Sequence, residues 1–149
     1  MGIMLYWAEG SKQKDHLSGQ RVVFNNSDYR MIKIYLKWLT DILKIDKSRI
    51  NFEIYSHKNI KDKESDVIKY WSSVTGFSAS YFQKIYYKKD KKNNYRKNQG
   101  HNYYGLLRMI VLKSTDLNRK ITGWINGICL QNHITHWNSN PGSQNESQM

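Results

Sequence analysis

Two stretches of the chain carry side chains whose types and spacing could do chemistry. The first is Leu5-Tyr6-Trp7-Ala8-Glu9-Gly10-Ser11, an apolar run closed by an acid and a glycine. On residue type alone Glu9 is a solvated turn carboxylate, because exposure is the default for acids. The second runs from Lys84 to Lys97. It holds Lys84, Lys88, Lys89, Lys91, Lys92, Arg96 and Lys97 against the single acid Asp90, a net charge of +6, with Tyr86, Tyr87 and Tyr95 interleaved. Dense cations with aromatic neighbours are the pattern of a surface that meets phosphates and bases. Other chemistries find no constellation. His16, His57, His101, His133 and His136 are scattered, and no H-E-x-x-H spacing occurs, which argues against a zinc hydrolase. The lone Cys129 excludes an intramolecular disulfide and a cysteine-rich zinc site. Neither a glycine-rich phosphate loop nor a Gly-x-Ser-x-Gly elbow is present.

The whole chain agrees with the basic stretch. Its 149 residues carry 24 Lys and Arg against 12 Asp and Glu, a net charge of +12 with a pI near 9.7. Such an excess implies a polyanionic partner, nucleic acid first and an anionic membrane surface second. No apolar run approaches the roughly 18 residues of a membrane span. The apolar start lacks a basic region and reaches Glu9 too soon for a signal peptide. A cytoplasmic location is expected. Length fits one domain, and 13% aromatic residues argue against wholesale disorder.

The elements that must position these residues follow from periodicity. Residues 1–8 are apolar and fit a short buried helix closed by a left-handed Gly10, or a buried strand. Ser18-Gly19 marks a hairpin turn before Arg21-Val22-Val23-Phe24. Asn26-Ser27-Asp28 offers an N-cap to a helix whose apolar stripe is Ile32, Tyr35, Leu36, Leu39, Ile42 and Leu43. Residues 50–56 alternate, with Ile50, Phe52 and Ile54 on one face and Asn51, Glu53 and Tyr55 on the other. A helix is predicted over 62–75 with Val67, Ile68, Trp71 and Val74 inward and Gly76 as its cap. Strands are predicted over 81–87 and 103–113, separated by a basic loop. A last helix carries Leu117, Ile121, Trp124, Ile125 and Ile128, capped by Ser114 or Thr115. The domain is expected to span 1–130, with 131–149 a disordered tail. The order predicts an α+β fold with a mainly antiparallel sheet and helices packed on one face.

At Ala8-Glu9-Gly10 the chain resembles the LAGLIDADG homing endonuclease family, whose motif ends in A-D-G. The likeness extends to Asn26-Ser27-Asp28 opening a helix, to Tyr70-Trp71-Ser72 with Thr75-Gly76, and to Tyr104-Gly105-Leu106-Leu107-Arg108 leading through Ser114-Thr115-Asp116-Leu117 to Gly123-Trp124-Ile125. It covers roughly residues 2–128 and is similar to a prokaryotic single-motif group. The resemblance implies a saddle-shaped sheet that enters the DNA major groove. It also implies a homodimer formed through the residue 2–8 helix, with paired acids over the scissile phosphates. Glu9, with a backbone carbonyl at Gly10, would help hold Mg²⁺, and Lys84 or Lys113 would be the catalytic lysine. Lys12, Lys14 and Arg21 on the hairpin, Arg108 on the last strand, and Lys88, Lys89, Lys91, Lys92, Arg96 and Lys97 would contact double-stranded DNA. The implied activity is Mg²⁺-dependent, site-specific phosphodiester hydrolysis. The alternative keeps the fold without cleavage, as a maturase, a regulator or the remnant of a mobile element. A third reading is a basic protein of unrelated fold that coats nucleic acid. In this chain the motif helix is barely two turns long, and only Gly2 is small near its start. Gly123 and Gly127, four apart, are read as tolerated glycines near a core.

Overall fold

The computed structural model describes residues 1–11, 20–57, 63–88 and 103–132. The expected first arm of the hairpin, most of the basic loop and the tail lie outside the described residues. Helix α1 is Gly2–Glu9, so the apolar start is helical. Strand β1 is Val22–Asn26, helix α2 Tyr29–Lys37 and strand β2 Ile50–His57. Helix α3 follows at Glu64–Thr75, then the short strands β3 at Ile85–Lys88 and β4 at Leu106–Val111, and helix α4 at Thr115–Gln131.

The protein is a mixed α+β structure. Its four-stranded sheet has the order β1-β4-β2-β3. β4 pairs antiparallel with both β1 and β2, whereas β3 runs parallel to β2. That parallel pair departs from a simple antiparallel meander. The chain leaves β2, forms α3 and returns in the same direction, which is what a helical crossover does. One face of the sheet is buried. Val22 and Phe24, Ile50, Phe52 and Ile54, and Leu107, Met109 and Val111 form a core with Tyr35, Leu39, Trp71, Ile121 and Ile125 from the helices. Alternation along β2 is strict, with every second residue from Ile50 to Ser56 buried.

Caps and turns decide where several elements end. Asp28 caps α2 by accepting from the Arg30 N–H at 2.9 Å. Gly76 closes α3 at φ 74°, the left-handed conformation that glycine adopts without strain. After Lys37 the helix widens into a π turn, Trp38–Ile42, with Leu43 N–H donating to the Trp38 carbonyl at 3.0 Å. The extra residue in that turn rotates Ile42 out of the 3.6-residue stripe, and it is 69% exposed rather than buried. The strand expected over 81–87 is half a strand. Ala79–Phe82 forms a 3-10 turn, because Phe82 turns inward to stack on Phe52 at 4.9 Å. Ser114 is also not the side-chain cap of α4. Its hydroxyl donates to the Val111 carbonyl and accepts from the Val22 N–H, which ties β1 to the end of β4. Trp124, expected on the inner stripe of α4, is 39% exposed, while Asn118, Ile121, Ile125 and Cys129 face the core.

Candidate nucleic-acid interface

The other face of the sheet mixes two buried apolar residues, Val23 and Ile110, with a set of polar and aromatic ones. Asn25, Arg108 and Glu53 stand in one row across β1, β4 and β2, since Asn25 pairs with Arg108 and Arg108 with Glu53. Leu106, Tyr55 and Tyr86 form the next row across β4, β2 and β3. Tyr55 and Tyr86 stack at 5.0 Å, and the Arg108 guanidinium lies 5.9 Å from the Tyr55 ring centre. The Tyr55 hydroxyl accepts from Arg108 Nη1 at 3.1 Å and donates to Glu53 Oε2 at 3.1 Å. Arg108 and Glu53 themselves approach to 3.8 Å, longer than a hydrogen bond.

Beside this network lies a groove of about 300 Å³. Its walls include Arg21, Asn51, Glu53, Tyr81, Gln83 and Lys84. Arg21 stands just before β1 and Lys84 just before β3, so the two cations come from opposite margins of the sheet, and both are exposed. The same end of the sheet gathers Arg49 and Lys113. Arg49 donates to the carbonyls of Leu112 and Lys113, at 3.1 and 2.8 Å from Nη2, and so pins the turn after β4. Lys113 sits in that turn at φ 49° with its side chain exposed. Strand pairing therefore brings Arg21, Arg49 and Lys113, distant in sequence, to one end of the sheet, with Lys84 on the β3 edge beside Glu53.

Glu9 lies elsewhere. It is the exposed last residue of α1. Gly10 is extended, with φ −78° and ψ 161°, and not left-handed as the sequence predicts. It bridges to Phe24, and Ser11 N–H donates to the Val23 carbonyl at 2.9 Å, so the chain runs along the free edge of β1. Glycine is needed here because a Cβ would strike the Tyr6 ring. Lys84 stands at the opposite edge, four strand spacings from Gly10, or about 19 Å. The structure thus does not bring Glu9 and Lys84 together within one chain. Among the described residues no group of three or more His, Cys, Asp or Glu could hold a metal ion. Glu9 and the Gly10 backbone offer hard oxygen atoms to Mg²⁺, which takes only one or two carboxylates and keeps waters.

Helix α1 packs by a small residue, but against its own chain. Gly2 is buried, and a Cβ on it would overlap the Trp38 ring. Tyr6 is also buried, and its hydroxyl donates to the Ser11 carbonyl at 2.7 Å. Burial pushes the Tyr6 hydroxyl up to about 12. Met1, Met4 and Ala8 are exposed on the other side of this helix, Met1 at 88% and Met4 at 53%.

Of the other expected DNA contacts, Arg108 is on the outward face, and Lys88 ends β3 opposite His57. Lys12, Lys14, Lys89, Lys91, Lys92, Arg96 and Lys97 lie outside the described residues. Among the described residues no atom neighbours the place where a Cβ would stand on Gly123 or Gly127, so neither makes a close helix packing with them. Glu53, Tyr55, Tyr86, Asn51 and Gln83 join the interface although no motif singles them out. The alternation of residues 50–56 already points Asn51, Glu53 and Tyr55 outward; the pairing partners that make them a cluster come only from the fold. Among the described residues no helix is long and apolar enough to cross a membrane. The chain matches no protein-family model, no curated protein and no solved structure.

Proposed function

We propose that this protein binds duplex DNA through the outward face of its sheet. The observation that carries this reading is the groove that joins Arg21 and Lys84, lined between them by Asn51, Glu53 and Gln83 together with the apolar Ile110 and Leu112. Cations at the margins suit phosphates, and polar side chains on the floor suit base edges. The major groove, about 12 Å wide, admits two strands, so the central pair β4 and β2 would enter it while the margins face the phosphates. The chain's net charge of +12 supplies the long-range attraction.

The fuller activity is Mg²⁺-dependent, site-specific phosphodiester hydrolysis by a homodimer. Its support is the placing of Glu9. The C-terminal end of a helix is negative, so a carboxylate there favours a cation beside it. The exposed apolar side of α1 offers a surface for a second copy, and twofold packing on it brings two Glu9 side chains toward one axis. When bound, Mg²⁺ supplies polarisation of the phosphate and a hydroxide nucleophile. Lys113 is the lysine proposed to assist; Lys84, across the sheet from Glu9, would do so only from the second copy. A non-cleaving DNA- or RNA-binding protein of the same fold is the second reading, favoured by the separation of Glu9 from the Lys84 groove.

Incubating the full chain with a randomised duplex library and Mg²⁺ tests both. The first reading expects cleavage by the parent protein, loss of cleavage but not of binding in Glu9→Gln, and the same loss in Met4→Glu as the dimer dissociates. Binding without cleavage by the parent selects the second reading. Failure to bind any duplex refutes the DNA-binding proposal.

A further inference from the structure

A carboxylate at the floor of a groove that receives a polyanion is out of place on electrostatic grounds. Glu53 is such a carboxylate. Its side chain is 15% exposed and lines the groove between Arg21 and Lys84. Within the chain its Oε2 accepts from the Tyr55 hydroxyl at 3.1 Å, and a carboxylate has further acceptor positions; phosphate would be repelled there, so a ligand group that meets Glu53 must be a donor. Its neighbour Arg108 is held loosely. Nη1 bonds the Tyr55 hydroxyl, the approach to Glu53 Oε2 is 3.8 Å, and Nε is buried with no hydrogen-bond partner among the described residues. Tyr55, stacked on Tyr86, fixes the place of both side chains.

We infer that Glu53 and Arg108 read one G·C base pair from the major groove. This inference rests on the proposed binding of duplex DNA by the sheet and names a specificity determinant within it. In the major groove guanine presents O6 and N7 as acceptors, and cytosine presents the N4 amino group as a donor. Guanine O6 and cytosine N4 are hydrogen-bonded to each other, about 2.9 Å apart. Arg108 Nη1 and Glu53 Oε2, each also bonded to the Tyr55 hydroxyl, present a donor and an acceptor 3.8 Å apart, the complementary order at a spacing about 0.9 Å wider than that of the base pair. The guanidinium fork serves guanine, and the carboxylate takes the cytosine amino proton. Arg21 and Lys84, at the margins, hold phosphates and carry no sequence information. Glu53 also discourages non-specific docking, since a backbone laid across the sheet centre would meet its charge.

The test is selection of bound duplexes from a randomised library by the full-length protein, with base frequencies read at each position. The wild type is expected to enrich at least one G·C pair strongly. Glu53→Gln keeps the shape of the side chain but replaces one carboxylate oxygen with a donor. It should cut discrimination at that single position about tenfold or more, while the dependence of binding on salt stays as in the wild type. Arg21→Gln and Lys84→Gln should do the reverse, making salt dependence shallower with base frequencies unchanged. If Glu53→Gln melts below the selection temperature, Arg108→Lys gives the same reading, because it keeps the charge and loses the bidentate fork. Unchanged base frequencies in the folded variant, or a uniform rise in affinity for every duplex, would overturn the assignment. No duplex binding by the wild type would instead sink the proposal on which it rests.

Discussion

Single residues set the geometry of both ends of this protein. Gly2 lets α1 lie against Trp38, where any Cβ would overlap the ring. Gly2→Ala should therefore destabilise the fold by about 1–3 kcal/mol, the usual cost of forcing atoms into a packed site. Urea unfolding measures this, and a second substitution, Trp38→Leu, should restore much of the loss. Asp28 gives a pH-dependent case. Hydrogen bonds from the Arg30 side chain and then from its backbone N–H hold the Asp28 carboxyl down to about 2, below the ordinary 3.8. A lowered folded value means that the cap's contribution is complete above pH 3.8 and is lost as pH falls toward about 2. Asp28→Ala should lower the thermal midpoint at neutral pH, and the gap between variant and parent should close across that acid window. The N-cap was legible in Asn26-Ser27-Asp28 because capping is local chemistry. The role of Gly2 was not, since its reason is a ring contributed by another helix.

At the scale of elements, the buried network of Tyr6, Asn118 and Ser114 joins α1, β1, β4 and α4. Asn118 Nδ2 donates to the Gln20 carbonyl at 3.0 Å, and Tyr6 holds the Ser11 carbonyl, so the two chain ends flanking residues 12–19 are fixed by one cluster. Asn118→Ala removes that hydrogen bond and should cost about 0.5–1.5 kcal/mol, read as a lower urea midpoint with an unchanged slope. Periodicity made most helices and strands readable: the α2 stripe as far as Leu39, the alternation of β2, and the outward Arg108 of β4. It failed where the backbone leaves regular geometry. The π turn at Trp38–Ile42 shifts the stripe by one residue, and Phe82 draws a nominal strand into a 3-10 turn. The parallel pairing of β3 was equally illegible, because register between distant strands is settled by packing and not by local pattern.

For the whole molecule, the account divides labour between two faces. The inward face of the sheet is an apolar core under helices, and the outward face sets polar, aromatic and cationic side chains around the buried Val23 and Ile110. Of the candidate site, sequence reasoning reached Arg21, Lys84 and Arg108 through charge and strand position. It missed that Arg21 and Lys84 share a groove, and that Glu9 lies at the β1 edge across the sheet from Lys84, because strand order is invisible in a linear pattern. The most direct test of the outward face is the salt dependence of duplex DNA binding by the full chain and by Arg21→Gln/Lys84→Gln. The account predicts affinity that falls with salt, and a slope of log K against log salt shallower by about 2 in the double variant, close to 0.9 per phosphate contact. A double variant that binds with the parent's slope and affinity would contradict it.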